Sequence, residues 1–333
     1  MGLILQMPDI KKIAVLTSGG DSPGMNSAIR SVVRTCAYLN VDCVGIYWGY
    51  QGMIEGDFKL MDARSVHNII NKGGTILRST RCKEFRTIEG RKKAYEQLKA
   101  EGIDAFVVIG GDGSFTGAMI FNQEYDFPII GIPGTIDNDI FGTTFTLGFD
   151  TALNTVVDAI DKIRDTASSH NRLFFVEVMG RDVGHIALNA GVGAGAEEIL
   201  IPEENLGLER LLDSLQRSKR SGKASSIVIV AEGDKTGKNV FEVKDYVEEN
   251  FPDYDVRVSV LGHMQRGGSP SCYDRVLASR MGVRAVEALL EGKTNLMVGV
   301  LDNQLILTPI EKAIKGHTKI DKELIRVSEI MST

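Results

Sequence analysis

The sequence predicts an α/β chain built as two doubly wound, mostly parallel sheet lobes. Short apolar runs alternate with amphipathic stretches along the whole length, the pattern of strand–helix–strand units. Glycine pairs follow the apolar runs directly, as in Ser18-Gly19-Gly20 and Gly110-Gly111-Asp112. Two carboxylates, Asp137 and Asp139, sit just past the apolar run Phe127-Pro128-Ile129-Ile130. Open α/β sheets place their chemistry at such strand ends.

The elements are expected in the following order. Ile13–Thr17 reads as a strand, Ser18–Asn26 as the loop after it, and Ser27–Leu39 as a helix with Ile29, Val32, Val33 and Cys36 on one face. A Gly-rich loop between strand and helix attracts anions through free backbone N–H groups and the helix N-terminus. The loop lacks the Walker and Rossmann spacings, so alone it is a weak signal. Val41–Tyr47 is the next strand, Ser65–Asn71 a short helix, and Gly73-Gly74-Thr75 a turn. Arg78, Arg81, Arg86 and Arg91 follow in one segment, readable either as a solvated face or as polyphosphate contacts. Glu89–Glu101 is helical. Ala105–Ile109 is a buried strand, and Gly110–Ser114 leads into a helix over Phe115–Asn122. Glycines there let a triphosphate approach, with Asp112 placed for a Mg²⁺.

The stretch Gly131–Asp139 then holds its backbone in a fixed path with Gly and Pro. Thr135, Asp137 and Asp139 suit phosphoryl transfer, where one carboxylate takes a hydroxyl proton and another helps hold a metal. Read alone, the stretch serves equally as an Asx-turn cluster that shapes a loop. Phe149–Thr166 is an amphipathic helix, and the change of lobe is placed near Gly148. Leu173–Val178, Ile199–Ile201, Ser226–Ala231 and Val256–Leu261 are strands. Gly-bearing loops follow at Met179–Gly184 and Gly262–Pro270. Tyr273–Leu290 is a long helix closed by Gly292, and the tail carries two short strands and a helix near Asp321–Met331.

Composition narrows the function classes. The chain has 333 residues, 43% of them hydrophobic, enough for two lobes of roughly 100–200 residues each. No apolar run of about 18 residues occurs, so no membrane span is expected, and Met1–Lys12 lacks the marks of a signal peptide. The four cysteines (Cys36, Cys43, Cys82, Cys272) form no CxxC pair, which fits a reducing cytoplasm better than a disulfide or zinc framework. A net charge of −6 argues against a nucleic-acid surface, so an anionic substrate must be held by local arginines.

The stretches LTSGGDSPGMN, IGGDGS, PGTIDND, RDTASSH, VEVMGR and VLGHMQRGGSP, in this order and spacing, resemble the bacterial 6-phosphofructokinase family from Lys12 to about Gln304. The resemblance implies a phosphofructokinase-like fold, with a nucleotide-binding lobe over 1–148 and 265–310 and a sugar-phosphate-binding lobe over 149–264 and 311–333. It implies ATP as phosphoryl donor, Mg²⁺ as cofactor and fructose 6-phosphate as acceptor. Asp137 is then similar to the general base, and Thr135 to the hydroxyl that contacts the transferred phosphoryl. Gly20 and Arg81 resemble the groups that stabilise that phosphoryl, and Asp112 and Asp139 the Mg²⁺ residues. Cys82, Arg86, Gly113, Ser114 and Gly117 fall on the nucleotide site. Arg172, Met179, Gly180, Arg181, Glu232, Arg257, His263 and Arg266 fall on the fructose 6-phosphate site. The resemblance further implies a cytoplasmic homotetramer in which Arg172 and Arg257 reach a neighbour's site. It also implies a pocket for ADP or phosphoenolpyruvate that includes Arg30, Arg34, Arg164, Gly195, Glu197 and Lys223.

Rival readings are weighed by single residues. Pyrophosphate-dependent relatives carry Asp where this chain has Gly113 and Lys where it has Gly134, so the two glycines favour ATP. Other GGDG kinases, of the diacylglycerol or NAD type, lack the His263–Pro270 loop. A catalytically silent sugar-phosphate sensor would be expected to lack Asp137. Against the family pattern, His185 stands where Asp is common and Lys83 where Pro is common. Ser221 replaces a usual cation near the effector pocket, and Asp57 offers a carboxylate where relatives often carry Arg. The expectation is a weakened effector response.

Overall fold

The computed structural model describes residues 10–167, 172–204, 207–220, 226–233, 239–252 and 255–331. Contacts group the chain into two compact units. The first holds residues up to 135, 140–150 and 266–317; the second holds 136–139, 151–265 and 318 onward. The sequence places these boundaries at 148, 264 and 310.

The first unit contains β1 (Lys12–Ser18), α1 (Met25–Tyr38), β2 (Asp42–Ile46), α2 (Tyr50–Glu55), β3 (Phe58–Met61), α3 (Ile88–Ala100), β4 (Ala105–Gly110), α4 (Asp112–Tyr125) and β5 (Ile129–Pro133). After α5 (Phe149–Ala167), β6 (Arg172–Val178), α6 (His185–Ala194), β7 (Glu198–Leu200), α7 (Gly207–Arg220), β8 (Ser226–Ala231), α8 (Val240–Asn250) and β9 (Asp255–Val260), which belong to the second, it resumes with α9 (Cys272–Leu290), β10 (Leu296–Leu301), β11 (Gln304–Pro309) and α10 (Ile310–Lys315). Helix α11 (Lys322–Met331) returns to the second unit.

The first sheet has the order β11-β10-β5-β4-β1-β2-β3. Its inner strands read as unbroken apolar runs because both faces are covered. Ile13 and Val15 of β1 pack with α1 and α9, while Ala14 and Leu16 pack with α2, α3 and α4. The sheet is mostly parallel, as expected: its inner pairings are parallel, and only the edge strands β3 and β11 run antiparallel to β2 and β10. The second sheet, β7-β8-β6-β9, is wholly parallel. Leu173, Phe175, Val228 and Val230 face α7 and α8. The opposite face lies under α6, where a Cβ on Gly191 would stand 2.5 Å from Ile199.

Several local expectations need correction. Residues 65–71 form turns instead of a helix, organised by Asp62, whose Oδ1 accepts from the N–H groups of Arg64 and Ser65. Strand β5 begins at Ile129 and runs to Pro133, beyond the expected 127–130, because the β4 ladder continues to Gly110–Pro133. Helix α4 starts at Asp112 and not at Phe115, so Asp112, Gly113 and Ser114 form its first turn. Helices α2, α7, α8 and α10 and strand β3 had no sequence assignment.

Candidate active site

In the first sheet β1 and β4 are neighbours, with Ser18 opposite Gly110. The chain leaves β1 toward β2 on one side and β4 toward β5 on the other, so this is the point where the winding reverses. Ligands of open α/β sheets bind at such a point, beyond the carboxyl ends of the strands. Both loops there are glycine loops. Gly19 has a φ of 88° and Gly24, the N-cap of α1, a φ of 102°, a region that glycine enters without steric cost. A Cβ on Gly110 would stand 2.5 Å from the Ser18 carbonyl, so the two strand ends touch only because that side chain is absent.

Helix starts differ in how they are capped. Helices α3, α8 and α9 are capped by Thr87, Asn239 and Ser271, whose side-chain oxygens accept first-turn N–H groups. Helices α1, α4 and α6, which follow the glycine loops, begin at Gly24, Gly111 and Gly184 with no side-chain cap. A helix start of that kind favours an external anion. Asp112 and Gly113 are exposed at the start of α4, and a Cβ on Gly113 would meet nothing within 4 Å. Gly134 differs: a Cβ there would press on the Ile109 and Met25 side chains at 3.1 Å, so a side chain at this position requires them to shift.

The arginine segment divides into two kinds. Arg91 is buried and paired bidentately with Glu124, Nε and Nη2 each 2.6 Å from a carboxylate oxygen, while its Nη1 donates to the Phe85 carbonyl. It is a structural residue. Arg81 and Arg86 are exposed and have no carboxylate partner among the described residues. Arg86 is displayed by a 3₁₀ turn, Glu84–Arg86, which Arg81 precedes in the chain; Phe85 of the turn stacks on Tyr50 with centroids 4.0 Å apart. The Tyr50 hydroxyl donates to the Ser114 carbonyl at 2.5 Å, and burial pushes this phenol far above its usual range. A Cβ on Gly117 would meet both rings at 3.3 Å. Cys82 is half-buried, its thiol donating to Gln51 Oε1 at 3.1 Å and raised by burial. Tyr50, like Gln51, carries no sequence signal, because its role is visible only once α2 packs on the 3₁₀ turn. Arg266 also lies in this unit. Its Nη1 donates to the Asp21 carbonyl, and a Cβ on Gly20 would stand 2.7 Å from it.

Beyond β5, Gly134 N–H donates to the Gly110 carbonyl, and the Thr135 carbonyl accepts from the Thr146 hydroxyl at 2.6 Å. Thr135 is buried at 8% exposure, and Asp137, which belongs to the second unit, at 6%. Asn138 adopts a left-handed φ of 54°, and Asp139 is half-buried.

In the second unit, the loops after β6, β8 and β9 are tied together. Glu232 Oε1 accepts the Arg181 N–H at 2.7 Å, and a Cβ on Gly233 would stand 2.0 Å from the Arg181 carbonyl. Gly180, with a φ of 146°, and Arg181, with a φ of 58°, form the bend between them. Gln265, fully buried, accepts the Met179 N–H at 3.2 Å and donates to the Gly262 carbonyl. His263 is exposed on the same 3₁₀ turn. Burial and then the charge of Glu232 push the Glu177 carboxyl upward. Gln265 and Glu177 were not singled out from the sequence. Arg172 and Arg257 lie elsewhere: both hold Asp255, at 2.9 Å and 2.8 Å, near the amino ends of β6 and β9. Asp255 is held below the usual carboxylate range, mainly by the Arg172 hydrogen bond.

The expected effector residues form two groups. Arg30 and Arg34 line a groove of about 360 Å³ with Tyr38, Ser279 and Glu287 in the first unit. Burial and then Arg34 lower the Arg30 guanidinium. In the second unit Arg164 donates to the carbonyls of Ala194 and Gly195 and pairs with Glu197 at 3.6 Å. Lys223 and Ser221 lie outside the described residues.

The phosphofructokinase family model matches residues 12–289. The chain belongs to the phosphofructokinase family. The ATP-dependent 6-phosphofructokinase 2 of Bacteroides thetaiotaomicron is 52% identical over 326 residues, covering 98% of this chain and all of that protein. The ATP-dependent 6-phosphofructokinase of Shouchella clausii is 53% identical over 97% of this chain and all of its own length. Among solved structures, phosphofructokinase from Saccharomyces cerevisiae superposes with a TM-score of 0.88 at 39% identity. It covers 97% of this chain, which spans 47% of the yeast chain. A pyrophosphate-dependent phosphofructokinase from Marinobacter aquaeolei, at 22% identity, covers 97% of this chain and 92% of its own with a TM-score of 0.82, which is likeness of fold. The phosphofructokinase motifs thus stand on the architecture their order predicted.

Proposed function

We propose that the chain is an ATP-dependent 6-phosphofructokinase, transferring the γ-phosphoryl of MgATP to the 1-hydroxyl of fructose 6-phosphate to give fructose 1,6-bisphosphate and ADP. The observation that carries this reading is full-length identity of about half to proteins so named. The open space at Gly113 supports ATP over pyrophosphate, since a carboxylate there would crowd and repel the α-phosphate.

Phosphoryl transfer asks the protein for positioning, cations and one base. In this reading the first unit takes the nucleotide. The loops at Gly20 and Gly113–Ser114 receive the phosphates, Arg86, Cys82 and Gly117 flank the nucleotide, and Arg81 and Gly20 stabilise the phosphoryl in flight. Asp137 takes the proton from the sugar 1-hydroxyl, and Thr135 contacts the phosphoryl. The second unit takes the sugar phosphate through Met179, Gly180, Arg181, Glu232 and His263, with Arg266 completing the set. Asp112 and Asp139 would hold Mg²⁺. Among the described residues no group of three or more His, Cys, Asp or Glu gathers as a metal cage. That fits Mg²⁺, which is held by one or two carboxylates with phosphate oxygens and water. Bound there, the ion neutralises charge on the phosphates.

Arg172 and Arg257 would complete the sugar-phosphate site of a neighbouring subunit in a homotetramer. The place of Arg172 supports this: strand β6 separates it from Val178 by about 20 Å, too far to serve the Met179 loop of the same chain. The Arg30 groove and the Arg164–Glu197 group are read as parts of an effector pocket for ADP or phosphoenolpyruvate. A cytoplasmic location is part of this reading; no described helix is long and apolar enough to cross a membrane. Phosphorus NMR of the protein with ATP, Mg²⁺ and fructose 6-phosphate tests the reaction. A new sugar 1-phosphate signal growing with ADP is expected; ATP loss with release of inorganic phosphate alone would contradict it.

A further inference from the structure

Trp48 and Arg78 share an arrangement that packing does not demand. Both adopt a left-handed backbone, with φ of 60° in each case, a region where side-chain-bearing residues are strained. The Arg78 guanidinium lies over the Trp48 ring, 4.8 Å from its centroid. Both side chains are exposed, and Arg78 has no carboxylate partner among the described residues. The pair is fastened to the end of β1, where the first glycine loop begins. Trp48 N–H donates to the Leu77 carbonyl, the Thr17 hydroxyl to the Arg78 carbonyl and the Ser79 hydroxyl to the Gly19 carbonyl. A Cβ on Gly49 would stand 2.6 Å from the Thr17 carbonyl, so the chain beside Trp48 also lies against β1.

Strain that surrounding hydrogen bonds hold in place marks a positioned side chain. A guanidinium resting on an aromatic face is pre-ordered without being neutralised, so it can meet an anion at low entropic cost. We infer that Arg78, parked on Trp48, is an additional cation for the polyphosphate chain of the nucleotide. The inference rests on the nucleotide reading of the first unit. Arg78 acts there on affinity for the donor and not on the chemical step.

Trp48 is the sole tryptophan of the chain, so its emission reports on this pair alone. MgATP and inorganic tripolyphosphate are expected to change that emission saturably, and AMP to change it little. Arg78→Asn removes the charge and tolerates the left-handed backbone. It is expected to abolish the response and raise KM for ATP about tenfold, with kcat and KM for fructose 6-phosphate within about twofold, as for loss of one charge-assisted contact. Arg78→Lys is expected to recover part of the loss. Unchanged KM and emission response in Arg78→Asn would overturn the inference. So would equal weakening of both substrates with a lowered Tm, which marks a structural role, or a response to AMP equal to that to tripolyphosphate. The emission titration needs no turnover. A tripolyphosphate response lost in Arg78→Asn would uphold the cation even if ATP proved not to be the donor. ATP turnover with the titration unaltered by Arg78→Asn would leave the reaction standing and the cation refuted.

Discussion

Arg172 Nε stands 2.9 Å from Oδ2 of Asp255, the residue paired with it in the β6–β9 ladder. Arg257 Nη2 contacts both oxygens of the same carboxylate, Oδ1 at 2.8 Å and Oδ2 at 3.1 Å. Among the described residues this one carboxylate gathers both guanidiniums, near the amino ends of β6 and β9.

The first prediction follows from that placement. Arg257→Ser and Asp137→Ser subunits are each expected to be nearly inactive alone. Mixed under conditions of verified subunit exchange, they should regain measurable turnover, since a hybrid can assemble an intact site from two chains. Absence of any recovery would count against sharing.

Asp137 lies just past β5 at 6% exposure. Asp137→Ser is expected to lower kcat by roughly 10²–10⁴-fold, the range for removal of a general base, with far smaller changes in KM. Steady-state kinetics on both substrates decides it; a variant that keeps most of its kcat would place the base elsewhere.

His185 gives stability a dependence on pH. Its ring sits at 8% exposure with Nε2 3.3 Å from the Thr318 hydroxyl, and burial lowers its pKa despite the opposing charge of Glu203. The unfolded chain then binds the proton more readily than the folded one. This contribution is intact above the ordinary histidine value of about 6.5 and is lost as pH falls below it toward the lower folded value. Urea midpoints should therefore fall between about pH 7.5 and 5.5, and His185→Asn should flatten that slope. An equal slope in the variant would assign it to other groups.

The proposed effector pocket is expected to respond weakly. In that reading the exposed Asp57 would add negative charge where a phosphate effector needs cations, and Ser221 would supply none. Losing charge-assisted contacts of about 1.5–3 kcal/mol each lowers affinity by one or two decades. Fructose 6-phosphate saturation curves with and without millimolar ADP or phosphoenolpyruvate should shift only slightly. Strong sigmoidicity moved severalfold by micromolar effector would be the opposite result.

Much of the fold was legible because the inner strands are buried on both faces and read as plain apolar runs, and because glycines mark their ends. What escaped was set by tertiary packing. Helix α2 is short, holds Gly52 and is flanked by Gly49 and Gly56, yet Tyr50 binds it to Ser114 and Phe85. Residues 65–71 have helical spacing, but Asp62 accepts the N–H groups of Arg64 and Ser65 and turns the chain instead. The arginine run could not be divided from sequence, since only the position of Glu124 reveals that Arg91 is structural. Gln265 gave no signal because its work is to join backbone groups of separate loops.

The central claim is that the donor is ATP, received where Gly113 leaves open space. An assay coupled to fructose 1,6-bisphosphate formation, run in parallel with MgATP and with Mg-pyrophosphate on the unaltered chain and on Gly113→Asp, tests it most directly. The expected result is turnover with ATP, little or none with pyrophosphate, and impaired use of ATP by the variant. Turnover with pyrophosphate equal to or better than with ATP in the unaltered chain would contradict the claim.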